Sequence, residues 1–315
     1  MTAVPTAGEK TPQRRKRATS GAQRSERRVA WAFSAPALFL LLAFLVLPFL
    51  MAFVLSFTNQ RLISPLPTRF VGVDNYVDTL TSTTFWKAFF NNVWFVVIVV
   101  PVQTAFALWL AILVNRKIPG RVFFRTAFFL PVVTVMAAAA VIWSLLFNAN
   151  GLVNAIMETV TFGAFAPDWL NSTTWALVAM MLVGIWQGVG FQMVILLAAL
   201  QDVPEVLYEA ASIDGASRWQ QFMNVTLPGI RNGLIFVITV TMILAFRLFD
   251  QVYIMPRIPG GPLDSTRTMM LELVETGFGT QAIGRGAAIA VIFFVIVLVL
   301  TLVQRRFVRE EGEVT

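Results

Sequence analysis

Apolar positions along the chain gather into six long runs, at about 31–57, 88–114, 122–147, 175–200, 233–255 and 287–303. Each approaches or exceeds the roughly 20 residues a helix needs to cross a bilayer core, where a helix satisfies its own backbone groups. The pattern predicts an all-α, polytopic membrane protein with six transmembrane helices. Pro101 and Pro131 fall inside the second and third runs, so both helices are expected to kink there. The polar loop 58–87 holds Pro65, Pro67, Gly72, Asp74 and Asn75 and is expected outside. Its VGVDNY run, 71–76, should fold on the membrane surface. Pro119-Gly120 makes a turn in the short second connection.

Charge orients these runs. Lys10, Arg14, Arg15, Lys16, Arg17, Arg24, Arg27 and Arg28 precede the first. Arg116, Lys117, Arg121 and Arg125 cluster at the second connection, and Arg305, Arg306 and Arg309 follow the last. Residues 148–174 contain no Lys or Arg. Basic residues stay on the cytoplasmic side, which puts both termini inside and agrees with six crossings. The expected organisation is a basic, disordered cytoplasmic tail at 1–28, a transmembrane domain at 29–308 and a cytoplasmic tail at 309–315. The polar stretch 202–229 then lies in the cytoplasm. No small-x-small site follows the first run, which is too long for a cleaved signal peptide.

Composition narrows the function classes. Hydrophobic residues make up 57% of 315 and charged residues 13%, more apolar surface than a soluble core can hide. The net charge of +7 is accounted for by orientation and contact with anionic membrane lipid, so no nucleic-acid partner is expected. The chain has no Cys and no His, which excludes disulfides, thiolate chemistry and imidazole–metal sites. It has no G-x-x-x-x-G-K-[ST] run, so it cannot bind ATP through a P-loop of its own. An embedded enzyme would lack groups to catalyse with.

Few polar side chains enter the spans, and each is costly in hydrocarbon. Gln187 and Gln192 lie in the fourth; Thr239, Thr241, Arg247, Asp250 and Gln251 lie in the fifth. Arg247 and Asp250, three apart, share a helical face and can pair. They read either as an ion pair snorkelling at the outer end of the span or as part of a cavity lining. Gly184, Gly188 and Gly190 admit close helix packing or a helix loosened beside a solute path. Beyond the fifth span, Pro256-Arg257-Ile258-Pro259-Gly260-Gly261-Pro262 stops the helix, and 266–278 is expected to form an external helix or gate. Gly284, Gly286, Ala287 and Ala288 open the last span with residues suited to tight contact.

The stretch 202–229 is the most organised of the connections. Asp202, Pro204 and Glu205 read as a helix start, with Val203, Val206, Leu207, Ala210 and Ala211 at helical spacing. Asp214-Gly215 breaks it, and a second helix over 217–225 carries Trp219, Phe222 and Met223. Leu227-Pro228 ends that helix and redirects the chain. Glu205, Glu209 and Asp214 outnumber Arg218, the wrong sign for an anionic leaflet. A protein cleft is the better partner for this helix–turn–helix.

These residues resemble a known family. Glu209-Ala210-Ala211, then Gly215, Val225 and Leu227-Pro228 at their spacings look like the EAA signature loop of binding-protein-dependent ABC importer permeases. Val225 stands where Ile is commoner. VGVDNY (71–76), FRTAFFLP (124–131), FDQVY (249–253) and GGP (260–262) extend the resemblance from about 31 to 306 and are similar to the maltose and glycerol-3-phosphate permeases. The Thr usual before GGP is missing, which leaves the outer end of the fifth span to be shaped differently.

The resemblance implies an ABC importer type I transmembrane domain in a bacterial or archaeal cell membrane. Its implied partners are an ABC ATPase dimer, a second permease subunit and an extracytoplasmic solute-binding protein. The chain would bind no cofactor, ATP and Mg sitting on the ATPase. Glu209, Ala210, Ala211, Gly215, Leu227 and Pro228 would form the ATPase-coupling loop. By similarity, Gly184, Gly188, Phe191, Thr241 and Ala245 would line the path of a sugar or polyol. Trp186 and Gln187 join them because aromatic faces and amides suit a polyol, and Arg247 and Asp250 complete the candidates. The competing reading is an ion-gradient-driven secondary transporter. It needs embedded carboxylates, of which only Asp250, near an edge, is available, and no inverted repeat is visible.

Overall fold

The computed structural model of the protein describes residues 22–63, 67–116 and 119–310. These fall into two units, one ending at Met51 and the other starting at Ala52. The first unit holds α1 (Ala22–Leu41), a π-helical turn at Leu42–Val46 and the start of α2 (Leu47–Leu55). Helix thus begins at Ala22, inside the tail expected to be disordered up to 28. The AQRSERR sequence contains good helix formers and joins an apolar run, so helix propagates into it. The rest of that expected tail, 1–21, lies outside the described residues. No residue from 29 to 51 is buried.

In the second unit, α3 (Asp74–Thr81) forms within and after the VGVDNY run. Its Asn75 amide donates to the carbonyls of Ser56 and Thr58, both at 2.8 Å, while the Tyr76 hydroxyl meets Ser56 Oγ at 2.6 Å. Helix α4 (Thr83–Asn115) starts five residues before the predicted boundary, because Ser82 accepts a hydrogen bond from the Phe85 N–H and caps it. Pro101 is accommodated without interrupting the helix.

The predicted third span is broken rather than kinked. Helices α5 (Arg121–Phe129) and α6 (Met136–Leu146) meet at 98°. Pro131 enters a 3-10 turn at Leu130–Val133, and Thr134 then takes an extended conformation. The missing N–H of Pro131 removes a helical hydrogen bond there. After α7 (Leu152–Val160) comes α8 (Trp175–Gln201), which runs unbroken through its three glycines. That continuity favours the packing reading of the glycines: a Cβ at Gly190 would collide with the Phe128 carbonyl oxygen.

The connection after α8 carries α9 (Glu205–Ile213), α10 (Arg218–Gln221), a π-helical turn at Phe222–Thr226 and α11 (Leu227–Gly229). Then follow α12 (Arg231–Phe246), α13 (Asp250–Ile254), α14 (Met269–Val274) and α15 (Ile283–Glu310). Helix α15 absorbs the first two residues of the tail expected at 309–315, and 311–315 lie outside the described residues. Five helical stretches among the described residues are long and apolar enough to cross a membrane, and the bent α5–α6 pair makes six if it is one span. Among the described residues there is no strand, only an isolated bridge between Thr58 and Phe70.

The inner core is α4 laid along α8. Ala107, Leu110, Ala111 and Val114 pack with Met193, Leu196, Leu197 and Leu200, closed by Ile230 and Val237. Lipid tails are as apolar as these side chains, so close packing and interhelical hydrogen bonds hold the bundle rather than expulsion from water. The buried Asn92 ties three segments: it donates to the Phe246 carbonyl at 3.2 Å and accepts from the Met269 N–H at 2.8 Å. Gln304 donates to Thr239 at 2.8 Å, joining α15 to α12.

Candidate functional site

A cavity of about 340 Å³ opens between α4, α8 and the fifth span. Helix α4 contributes Phe95, Val99 and Gln103, and α8 contributes Gly184, Gln187, Gly188 and Phe191. Thr241, Leu244, Ala245, Leu248 and Gln251 line the opposite wall, and Val132 reaches in from the 3-10 turn. Six of the residues expected on a solute path therefore meet in one place: Gly184, Gln187, Gly188, Phe191, Thr241 and Ala245. At Gly188 the Gln103 amide lies where a Cβ would project, so a larger residue there would have to turn that amide aside.

The lining is mostly apolar, with four polar side chains, Gln103, Gln187, Thr241 and Gln251, and no charged one. Gln187 donates to the Thr134 carbonyl at 3.3 Å, and Gln192, buried behind the wall, donates to Thr241 Oγ1. Gln251 is nearly buried; its amide nitrogen lies 3.7 Å from Met136 Sδ, and its Oε1 has no hydrogen-bond partner. A buried acceptor left unpaired is costly and calls for a donor. Phe95 and Phe191 supply aromatic faces beside these amides.

Three expected residues stand elsewhere. Trp186 turns its ring against Trp143, with centroids 5.4 Å apart, in an aromatic cluster continuing through Phe147, Trp169, Phe165 and Trp175. Arg247 and Asp250 are exposed, outside the cavity lining, and make no ion pair with each other. Their pairing was expected from a continuous helix, but α12 ends at Phe246 and Phe249 leaves helical geometry before α13. Three residues apart no longer means one face. Sequence reasoning missed Phe95 and Gln103 altogether. Gln103 did carry a signal, being an amide inside a 33-residue helix of mostly apolar residues.

The loop between α8 and α12 is braced by its own hydrogen bonds and leaves large apolar side chains exposed. Ser217 and Gln220 form a capping box, with the Ser217 N–H donating to Gln220 Oε1 at 2.7 Å. The Tyr208 hydroxyl meets Thr226 Oγ1 at 3.0 Å, bracing α9 against the π-helical turn. Gly215 has φ of +76° and nothing within 4 Å of a Cβ position, so it makes a left-handed turn in open space. Glu209, Ala210 and Pro228 are exposed, and Ala211 and Leu227 half-buried. Ile213 is 87% exposed and Trp219 68%. Two boundaries differ from expectation. Asp202 closes α8 instead of starting α9, whose N-cap position is Pro204. Pro228 sits in the first turn of α11, where it is tolerated, so the chain redirects at Ile230.

At the far end of the fifth span, Arg267 gathers three carboxylates: Asp264 at 2.8 Å, Glu272 at 2.7 Å and Glu275 at 2.6 Å. Burial opposes its charge, but the hydrogen bond to Asp264 and the fields of Glu272, Glu275 and Asp264 prevail and raise its pKa. The Asn91 amide, on α4, donates to the carbonyls of Asp264 and Arg267, both at 2.9 Å.

Residues 84–311 match the family described as the binding-protein-dependent transport system inner membrane component. The chain is 32% identical over 288 residues to the "Probable ABC transporter permease protein YurN" of Bacillus subtilis (strain 168), covering 90% of this chain and 97% of that protein. It is also 32% identical to the "Arabinooligosaccharides transport system permease protein AraP" of the same organism, over 89% of this chain and 88% of that one. A chain of the bacterial alginate ABC transporter, solved in complex with an alginate pentasaccharide-bound periplasmic protein, has the same fold. Its TM-score is 0.77 at 20% identity, covering 93% of this chain and 98% of that chain. The chain belongs to the binding-protein-dependent transport family: it is a multi-pass permease subunit of an ABC importer, with ATP hydrolysis carried by a partner.

Proposed function

We propose that this permease passes an uncharged sugar or related polyol, received from an extracytoplasmic binding protein, through the cavity between α4, α8 and the fifth span. The observation that carries this reading is the lining: Gln103, Gln187, Gln251 and Thr241 beside Phe95 and Phe191, with no charged side chain. Amides and hydroxyls exchange hydrogen bonds with hydroxyl groups, and the aromatic faces suit the C–H faces of a sugar ring. The printed function of the arabino-oligosaccharide relative supports the same class. A charged solute would enter without a counter-charge, at a desolvation cost the cavity does not offset.

The inner loop, with Glu209, Ala210, Ala211, Gly215, Leu227 and Pro228, seats in a cleft of an ATPase subunit, with both chain termini on that same cytoplasmic side. A second permease completes the pathway, and an ATPase dimer, holding ATP and Mg, closes to swing the spans between inward- and outward-facing states. Coupling requires that ATP and the docked binding protein favour the same state. The support for the loop is its bracing by its own hydrogen bonds together with its exposed large apolar side chains.

The test is uptake into proteoliposomes holding the permeases, the ATPase and the binding protein. Uptake should require ATP, and Gln187→Ala and Gln251→Ala should slow it about tenfold, one to two lost hydrogen bonds, without loss of assembly. Uptake driven by an ion gradient in the absence of the ATPase would overturn the reading.

A further inference from the structure

A second polar cavity, of about 280 Å³, lies between the ends of α4 and α8 and the inward side of the loop. Its wall is fixed from behind. Tyr208 bonds Thr226, and both amide hydrogens of Gln221 are committed, to Ser212 Oγ at 3.0 Å and the Ala216 carbonyl at 3.2 Å. The donors left facing the cavity belong to Asn115, Arg116 and Arg218. Neither guanidinium has a hydrogen bond or ion pair among the described residues, and no acidic side chain lines the cavity. Glu205, Glu209 and Asp214, on the same loop, are not part of that lining.

Two exposed guanidinium groups reach one concave site from separate segments, one at the end of a span and one on the loop, and give it a positive potential that attracts an anion. Each carries five N–H donors in a planar fork that matches the oxygens of a phosphate group. The volume falls just below that of ordinary small-molecule pockets, at the low end of roughly 300–1,000 Å³, and suits a headgroup-sized ligand. We propose that this cavity binds a phosphate group, bridging Arg116 at the end of α4 and Arg218 on the loop. Two sources share that chemistry, the headgroup of an anionic phospholipid and a free phosphate. The bound anion ties the loop to the spans. Anion occupancy thereby sets how stiffly the loop follows the ATPase. The lipid source rests on the cytoplasmic placement of the loop proposed above; the free-phosphate source does not.

The test uses the full-length chain, as wild type, Arg116→Gln, Arg218→Gln and Arg121→Gln. The last removes an exposed basic residue outside the cavity. In one arm, native mass spectrometry follows phosphatidylglycerol and phosphatidylcholine retained from mixed nanodiscs. In the other, equilibrium dialysis follows radiolabelled inorganic phosphate. Loss of about tenfold in phosphatidylglycerol retention or phosphate binding in both cavity variants, with Arg121→Gln unchanged, supports the site, and the responding arm names the source. Equal binding by wild type and both cavity variants in both arms overturns it. So does an equal loss in Arg121→Gln, the signature of a diffuse basic surface. Loss of ATPase co-purification in the cavity variants with anion binding unchanged overturns it too, assigning the arginines to the ATPase contact. ATP-independent uptake would sink the transport reading without changing the phosphate result.

Discussion

The two connections at opposite ends of the fifth span are of similar length and built in opposite ways. The segment between α13 and α15 is tied down by polar contacts: Arg267 is shared among three carboxylates, Thr268 and Glu272 are buried and bonded, and Asn91 and Asn92 of α4 bond its backbone. The segment between α8 and α12 spends its hydrogen bonds on its own shape, through the capping box and the Tyr208–Thr226 contact. Its large apolar side chains are left outside. Both are polar interruptions in an apolar chain, yet one is anchored to a neighbouring span through side-chain bonds and the other is the surface proposed above to receive an ATPase. Both expose large apolar side chains, Ile258, Leu263 and Phe278 on the first and Val206, Ile213 and Trp219 on the second; the Arg267 ion network and the bonds to α4 distinguish them, and hydropathy does not.

The comparison breaks most easily at Arg267. Arg267→Gln leaves the buried Glu272, with Asp264 and Glu275, facing each other without their cation. Removing one partner of a buried ion network costs about 3–5 kcal/mol. We expect a marked drop in thermal stability of the detergent-solubilised chain, with the outer segment becoming susceptible to protease first. If Arg267→Gln melts within a degree of wild type, the outer segment is not self-supporting and the contrast fails.

Gly215 gives an intermediate effect from the other side of the comparison. A Val there must hold φ near +76°, at roughly 1–2 kcal/mol for an L-residue, with no neighbour to strike. The fold should survive, because the strain is local and the site is open. Recovery of the ATPase on the tagged permease and ATP-driven uptake should each fall by about tenfold, since the turn sets the angle between α9 and α10. Normal capture and normal uptake in Gly215→Val would remove the turn from the docking surface.

The six apolar runs were legible because hydrocarbon demands long apolar helices and little else does. The loop was legible because the spacing of Glu209, Gly215 and Pro228 constrains local backbone. Where helices break inside hydrocarbon was harder to read. Pro101 leaves α4 intact whereas Pro131 accompanies a 98° bend, and one residue type gave both outcomes because neighbouring helices decide whether the freed carbonyl finds a partner. The same limit separated Arg247 from Asp250, and it hid Phe95 and Gln103, whose place in the cavity depends on α4 lying beside α8. Periodicity assigns a residue to a helix; only packing assigns it to a wall.

The smallest effect on the chain itself sharpens the contrast furthest. Ile213 is 87% exposed at the end of α9, so Ile213→Ser removes almost no contact within this molecule. Surface changes of this kind alter stability by no more than about 0.5 kcal/mol in either direction. Thermal unfolding of the isolated permease should therefore be unchanged within a degree or two. In a partner's cleft the same side chain would lose water on all sides, and its removal there costs about 1.5–3 kcal/mol, or about ten- to a hundredfold in affinity. Titrating the ATPase subunit onto nanodisc-embedded permease measures that difference directly. Unchanged melting with weakened ATPase binding identifies a surface shaped for another protein. Unchanged melting with unchanged binding would make the exposed apolar side chains of the loop ordinary surface, and the two connections would then differ only in the Arg267 ion network and its ties to α4.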